Sequence, residues 1–318
     1  MRRILHLGMT EAEKGKPVLM GFIESKKPSP DRLRIFLGGM PWGDFGIECL
    51  RQADDDRAMS VLKFNRFRDA DKIFQMAESA GLDIVDREIV YHYAVANKDY
   101  RVSPIELADE AVAFLNGVFR LEGRLFAGRP SIIAHSYGGF SVAVRLRELM
   151  DDGVLGALAE RGGRLTLVAP VLIRPELKDP HDGIEEISER FAGYGGFFSS
   201  VPADAGRVAA LEAEGRFWNG DRGLELPFMD VQVVVCDDDR RGWWRSKDAV
   251  AEVLAGMGTD ARLTILAIHG LREDMEEGRI SILPLERSVL DEARARFGDL
   301  DTHDLYPYLM MRAGLDIF

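Results

Sequence analysis

Chemistry is concentrated in Ser131-Ile132-Ile133-Ala134-His135-Ser136-Tyr137-Gly138-Gly139-Phe140, where an apolar run enters a small-x-Ser-x-Gly-Gly turn and leaves in a helical pattern. A serine in such a turn is held with its hydroxyl proud of a sheet, and its neighbours are small because the backbone passes too close for side chains. A helix starting behind it adds backbone N–H groups and the positive end of a dipole, both of which favour an anion forming nearby. The hydroxyl itself is a weak nucleophile until a neighbouring base takes its proton. A second chemical cluster is Cys236-Asp237-Asp238-Asp239. Its bland reading is a solvated acidic turn, and a divalent-metal site lacks further spaced ligands.

The elements that must position these residues alternate between two periods. Ile4 to Gly8 and Val18 to Glu24 read as a strand pair, and Leu33 to Leu37 as a short strand that stops at Gly38-Gly39. Glu88 to Val95, Ser131 to Ala134, Leu165 to Ala169, Val231 to Cys236 and Leu263 to Ile268 are largely apolar rather than alternating, which suits strands covered on both faces of a parallel sheet. Helical spacing appears at Ala70 to Gly81, Pro104 to Phe119, Phe140 to Met150, Arg245 to Ala255 and Ser288 to Phe297. Strand and helix in alternation predict a doubly wound, mostly parallel α/β sheet. The block 172–227 breaks the rhythm: it has helical pieces and an aromatic cluster of Phe191, Tyr194, Phe197, Phe198, Phe217 and Trp218, without a convincing strand. It is expected to be a helical cap, or a decorative insertion with its own small core, dividing a core of 1–171 and 228–318.

The elbow around Ser136 resembles that of the α/β-hydrolase superfamily, with Ala134 at a position more often glycine, and the resemblance runs along nearly the whole chain. In that family the acid follows the strand after the cap and the base histidine follows the last strand. The resemblance therefore implies a Ser136, Asp239, His269 triad, taking Ile268-His269-Gly270 as the base position and Asp239 as the acid, with Asp237 and Asp238 kept as alternatives. Two of these three aspartates are then expected to be simply solvated. In such a triad the carboxylate fixes the tautomer of the imidazole and stabilises the imidazolium. The family also implies an oxyanion hole of two backbone N–H groups, those of Tyr137 and of Met40 in Phe36-Leu37-Gly38-Gly39-Met40-Pro41-Trp42-Gly43, where glycine stands in place of a frequent histidine. A glycine-rich turn at a strand end is the plainer reading of that loop.

The remaining histidines have structural readings. His135 is expected to pack or bond beside its strand, His6 and His92 sit on expected strands, and His181 falls in the cap; His303, after an acidic turn near the C-terminus, is the rival base. No glycine-rich loop has the spacing of a phosphate or dinucleotide site, so no cofactor is implied. With 41 Lys and Arg against 53 Asp and Glu, the 318-residue chain carries a net charge of −12, which disfavours nucleic acid and anionic membrane as partners. Cys49 and Cys236 lack disulfide or zinc spacing. Neither a secretory signal nor a bilayer-spanning run is evident, so a cytoplasmic location is expected.

These readings converge on a cofactor-independent serine esterase or thioesterase acting through a covalent acyl-enzyme on a small, partly apolar substrate. Trp42, Phe197, Trp218 and Trp243, with Trp244 beside the acid loop, are expected to line its pocket. A homodimer is compatible with this reading. The same triad could instead run acyl transfer, C–C bond hydrolysis or a lyase step, and a ligand-binding protein of the same fold is the alternative of a different class.

Overall fold

A computed structural model describes residues 4–11, 17–24, 32–37, 89–94, 104–122, 129–170, 229–239, 244, 247–257, 261–270, 278–297 and 302–315. The expected helix at 70–81 and the expected cap at 172–227 lie outside the described residues. Among the described residues, nine strands form one sheet: β1 (Ile4–Glu11), β2 (Pro17–Glu24), β3 (Arg32–Leu37), β4 (Ile89–Ala94), β5 (Arg129–His135), β6 (Arg164–Val168), β7 (Asp230–Cys236), β8 (Arg262–Ala267) and β9 (Ile280–Pro284), in the order β1-β2-β4-β3-β5-β6-β7-β8-β9. β1 and β2 pair antiparallel, as do β2 and β4; every other neighbour pair is parallel.

Helices cover both faces, and the residues of the central strands divide between them with a period of two. On β5, Ile132 and Ala134 join one core while Ile133 joins the other; on β7, Val231, Val233 and Val235 face the first, and Val234 and Cys236 the second. This is why these strands read as continuous apolar runs. The first face is covered by α1 (Pro104–Glu122), α2 (Tyr137–Val144), α3 (Leu146–Asp151), α4 (Val154–Glu160) and α5 (Lys247–Gly256), which contribute Phe114, Phe140, Leu149, Leu155 and Val253. The second is covered by α6 (Arg287–Phe297) and α7 (Thr302–Arg312), through Leu290, Ala293, Leu305, Tyr306 and Leu309.

Three differences from the sequence reading matter for the site. The predicted helix over Phe140 to Met150 is two helices, broken at Arg145, whose buried guanidinium pairs with Asp109 of α1 and with Glu148 at 2.8 Å. Leu263 to Ile268 is not the last strand, because β9 follows it parallel on its outer side. And α7 adds a helix where none was predicted. The order of the sheet changes direction between β3 and β5: β4 lies to one side of β3 and β5 to the other. Crevices at such a switch point, beyond the carboxyl ends of the strands, are where open α/β sheets bind ligands. Leu37 at the end of β3 pairs with Ala134 of β5, so the chain leaves both strands side by side.

Candidate active site

The elbow after β5 has the strain its sequence requires. Ser136 has φ 56° and ψ −116°, a region that costs a non-glycine residue roughly 1–3 kcal/mol and persists only when the surroundings enforce it. They do so from both sides. The Ser136 N–H donates to the carbonyl of Val168 on β6 at 2.8 Å, and the Ser136 carbonyl accepts from Phe140 N–H at 3.2 Å as α2 begins. Gly139 is needed where it stands: a Cβ there would lie 2.8 Å from Cβ of Pro170 and 3.2 Å from the carbonyl oxygen of Ala134. Ser136 occupies the N-cap position of α2, and its side chain makes no capping hydrogen bond to the helix.

The chain leaves the neighbouring strands in the same manner. Ala169 N–H donates to Val234 O at 2.8 Å, Asp237 N–H to Leu266 O at 3.0 Å, and Leu285 N–H to Ala267 O at 2.9 Å. The carboxyl ends of β5 to β9 are thereby stitched into one rim that carries Ser136, the aspartates after β7 and His269 after β8.

Each of the three aspartates is claimed by a different partner, which corrects the expectation that two are only solvated. Asp237 accepts the backbone N–H of Ile268 at 2.7 Å and of His269 at 2.8 Å, fixing the path of the chain out of β8. Asp238 Oδ1 meets His269 Nε2 at 2.6 Å, while its Oδ2 accepts from the Thr302 hydroxyl and from Arg294 at 3.3 Å. Partial burial pushes the Asp238 carboxyl up, but the hydrogen bonds from Thr302 and His269 and the Arg294 charge outweigh it and hold the group below the ordinary value. Asp239 Oδ2 lies 2.8 Å from His303 Nδ1, and both side chains are almost wholly buried, at 2% and 6% exposure.

The expected Asp239–His269 pair is therefore corrected: Asp239 joins His303, and His269 joins Asp238. The reason is the extra strand and helix. β9 and α6 carry the chain back across the sheet, and α7 then starts directly over the end of β7 with His303 as its second residue. One turn later the Tyr306 hydroxyl accepts the Cys236 N–H at 2.6 Å, fastening α7 to the last residue of the strand that bears the aspartates. Burial, and then the nearby Asp239 charge, raise Tyr306 well above its usual value, so it remains a neutral phenol in this role. Burial likewise pushes the Cys236 thiol up to about 12, which leaves it protonated and unreactive at neutral pH.

The two histidines present different nitrogens. Against a carboxylate, which only accepts, His303 carries a proton on Nδ1. His269 is turned the other way, with Nε2 committed to Asp238, and its side chain is 48% exposed. His303 also stands against the elbow: its ring centroid is 4.7 Å from that of His135, the residue preceding Ser136, and its carbonyl oxygen is 2.9 Å from His135 Nε2. Among the described residues, no three His, Cys, Asp or Glu gather as a metal site, and no helix is long and apolar enough to cross a membrane.

Met40, Trp42, Phe197, Trp218 and Trp243 lie outside the described residues; for Tyr137, the backbone at the start of α2 is described. Trp244 is corrected from a pocket residue to a core residue, packed on the first face at 1% exposure. Thr302, Arg294 and Tyr306, which join α6 and α7 to the end of β7 and its acidic turn, are not singled out by the sequence.

The strand order, the strained serine between β5 and α2 and the helices on both faces define a fold of the α/β-hydrolase type. No protein-family model and no curated protein matches the chain. Among solved structures, the chain is similar to esterase LipW from Mycobacterium marinum, with 16% identity over 99% of this chain and 82% of that one and a TM-score of 0.48. It is also similar to the thermostable carboxylesterase EstE1 from a metagenomic library, with 13% identity over 98% and 89% and a TM-score of 0.48. A third is XC6422 from Xanthomonas campestris, an a/b serine hydrolase without a lid, with 11% identity over 98% and 90% and a TM-score of 0.43.

Proposed function

We propose that the protein is a serine hydrolase acting on a small ester or thioester, with Ser136 as nucleophile, His303 as base and Asp239 as its orienting acid. The observation that carries this reading is the buried Asp239–His303 pair beside a strained serine elbow. As Ser136 Oγ attacks the substrate carbonyl carbon, His303 Nε2 takes the hydroxyl proton, and Asp239 holds Nδ1 and stabilises the imidazolium. The carbonyl oxygen becomes an anion within reach of first-turn N–H groups of α2, which have no intrahelical acceptor; Tyr137 N–H is the first of them, and Met40 N–H is the proposed second donor. His303 then protonates the departing alcohol or thiol, leaving an acyl group on Ser136. The same base deprotonates the water that releases the acid and restores the serine.

Preorganisation supports a catalytic role over a purely ligand-binding one. A binder has no need for a strained serine or for a buried aspartate that fixes a histidine tautomer, both of which cost stability. Purified protein should hydrolyse a short-chain p-nitrophenyl ester and take up one equivalent of a fluorophosphonate probe. Ser136→Ala should lose both. A folded sample that neither turns over the ester nor labels would contradict the proposal.

A further inference from the structure

His135 precedes the nucleophile and touches the helix that carries the base, and neither fact is used in the reaction above. Its Nε2 lies 2.9 Å from the carbonyl oxygen of His303. A carbonyl only accepts, so the proton of this bond is on His135 Nε2. In an α-helix the carbonyl of His303 would ordinarily accept from the N–H of the residue four positions on. That residue is Pro307, inside α7, and proline has no N–H to give. The helix thus contains a residue that costs it stability and that withholds the ordinary donor from the His303 carbonyl, to which His135 donates.

We propose that His135 and Pro307 together position the base: Pro307 keeps the His303 carbonyl from its helical donor, and His135 Nε2–H takes it, tying the first turn of α7 to the serine elbow. This rests on the assignment of His303 as the base. The consequence is geometric. His303 is held on one side by Asp239 through its ring and on the other by His135 through its backbone, so the ring has a fixed place relative to Ser136. Small displacements of a catalytic group, of about 1 Å, are sufficient to cost on the order of 100-fold in rate.

The test uses three variants of the full chain with a p-nitrophenyl ester. His135→Phe keeps a ring but removes the donor, and kcat should fall about 10- to 100-fold with KM within about twofold. His135→Gln restores an N–H donor and should recover most of that loss. Pro307→Ala supplies the missing helical N–H and removes a helix breaker, so it should raise Tm while lowering kcat, a combination that a merely structural proline would not produce. Unchanged kcat in His135→Phe, or equal losses in His135→Phe and His135→Gln, would overturn the positioning role, as would a Pro307→Ala protein with full kcat. His303→Ala separates the two levels: if it retains turnover, the base assignment fails, whereas if it is inactive and His135→Phe is not slowed, only the positioning role fails.

Discussion

Two aspartate–histidine pairs stand on adjacent residues of one turn, and they are built differently. Asp239–His303 is buried, joined through Nδ1, and anchored by Tyr306 and by the helix start that carries it. Asp238–His269 is half exposed, joined through Nε2, and shares its carboxylate with Thr302 and Arg294. A base needs a fixed tautomer, and the first pair sets one by joining Nδ1 to a buried carboxylate. The second is a clamp: it ties the chain after β8 to α6 and to the first residue of α7, and so supports the first pair from outside. Position along a turn does not distinguish the two roles, but the choice of ring nitrogen and the degree of burial do.

The comparison can be broken most forcefully at the carboxylates. Asp239→Asn should lower kcat by roughly 10³- to 10⁴-fold, because an amide can leave His303 in the wrong tautomer. Asp238→Asn should cost less than about 10-fold, since it loosens a support rather than the base. Steady-state turnover of one ester by the two variants measures both. Equal losses would erase the distinction.

A smaller effect sharpens the role of the clamp. The Asp238 carboxyl is held below its ordinary value of 3.8, so its contribution to stability is complete above that value and is lost as pH falls through the lower folded value. The Tm of the native protein should therefore exceed that of Asp238→Asn by about 2 °C near neutral pH, a modest gap for a partly exposed group, and the gap should close below about pH 3.8. Thermal melts of the two proteins from pH 7 to pH 3 check the sign. A gap that widened on acidification would show that Asp238 is not a stabilising anion.

Much of this arrangement was legible because it is local. The elbow announces itself in Ala134 to Gly139, where strand, strained serine, close-approach glycine and helix follow one another within a few residues, and the apolar runs of β5, β7 and β8 report burial on both faces. The pairing of Asp239 was not legible, because it depends on where the chain returns. β9 is a half-buried edge strand of only five residues, Ile280–Pro284, whose alternation is too short to stand out. α7 is masked by Pro307, which argues against a helix interior, although here it is the feature that leaves the His303 carbonyl to His135. Without these two elements the sheet reads as ending one strand early, with His269 at the expected base position. The side chains that discriminate between the histidines, Thr302, Arg294 and Tyr306, act across the fold, and no spacing in the sequence brings them together.

The central claim is that His303, not His269, activates Ser136, and the rate of fluorophosphonate labelling of Ser136 tests it most directly because it reports the nucleophile without requiring knowledge of the substrate. His303→Ala should label at least about 1,000-fold more slowly than the native protein, while His269→Ala should stay within about 10-fold of it. Native-like labelling in His303→Ala, together with loss of labelling in a folded His269→Ala, would contradict the assignment and return the base to the loop after β8.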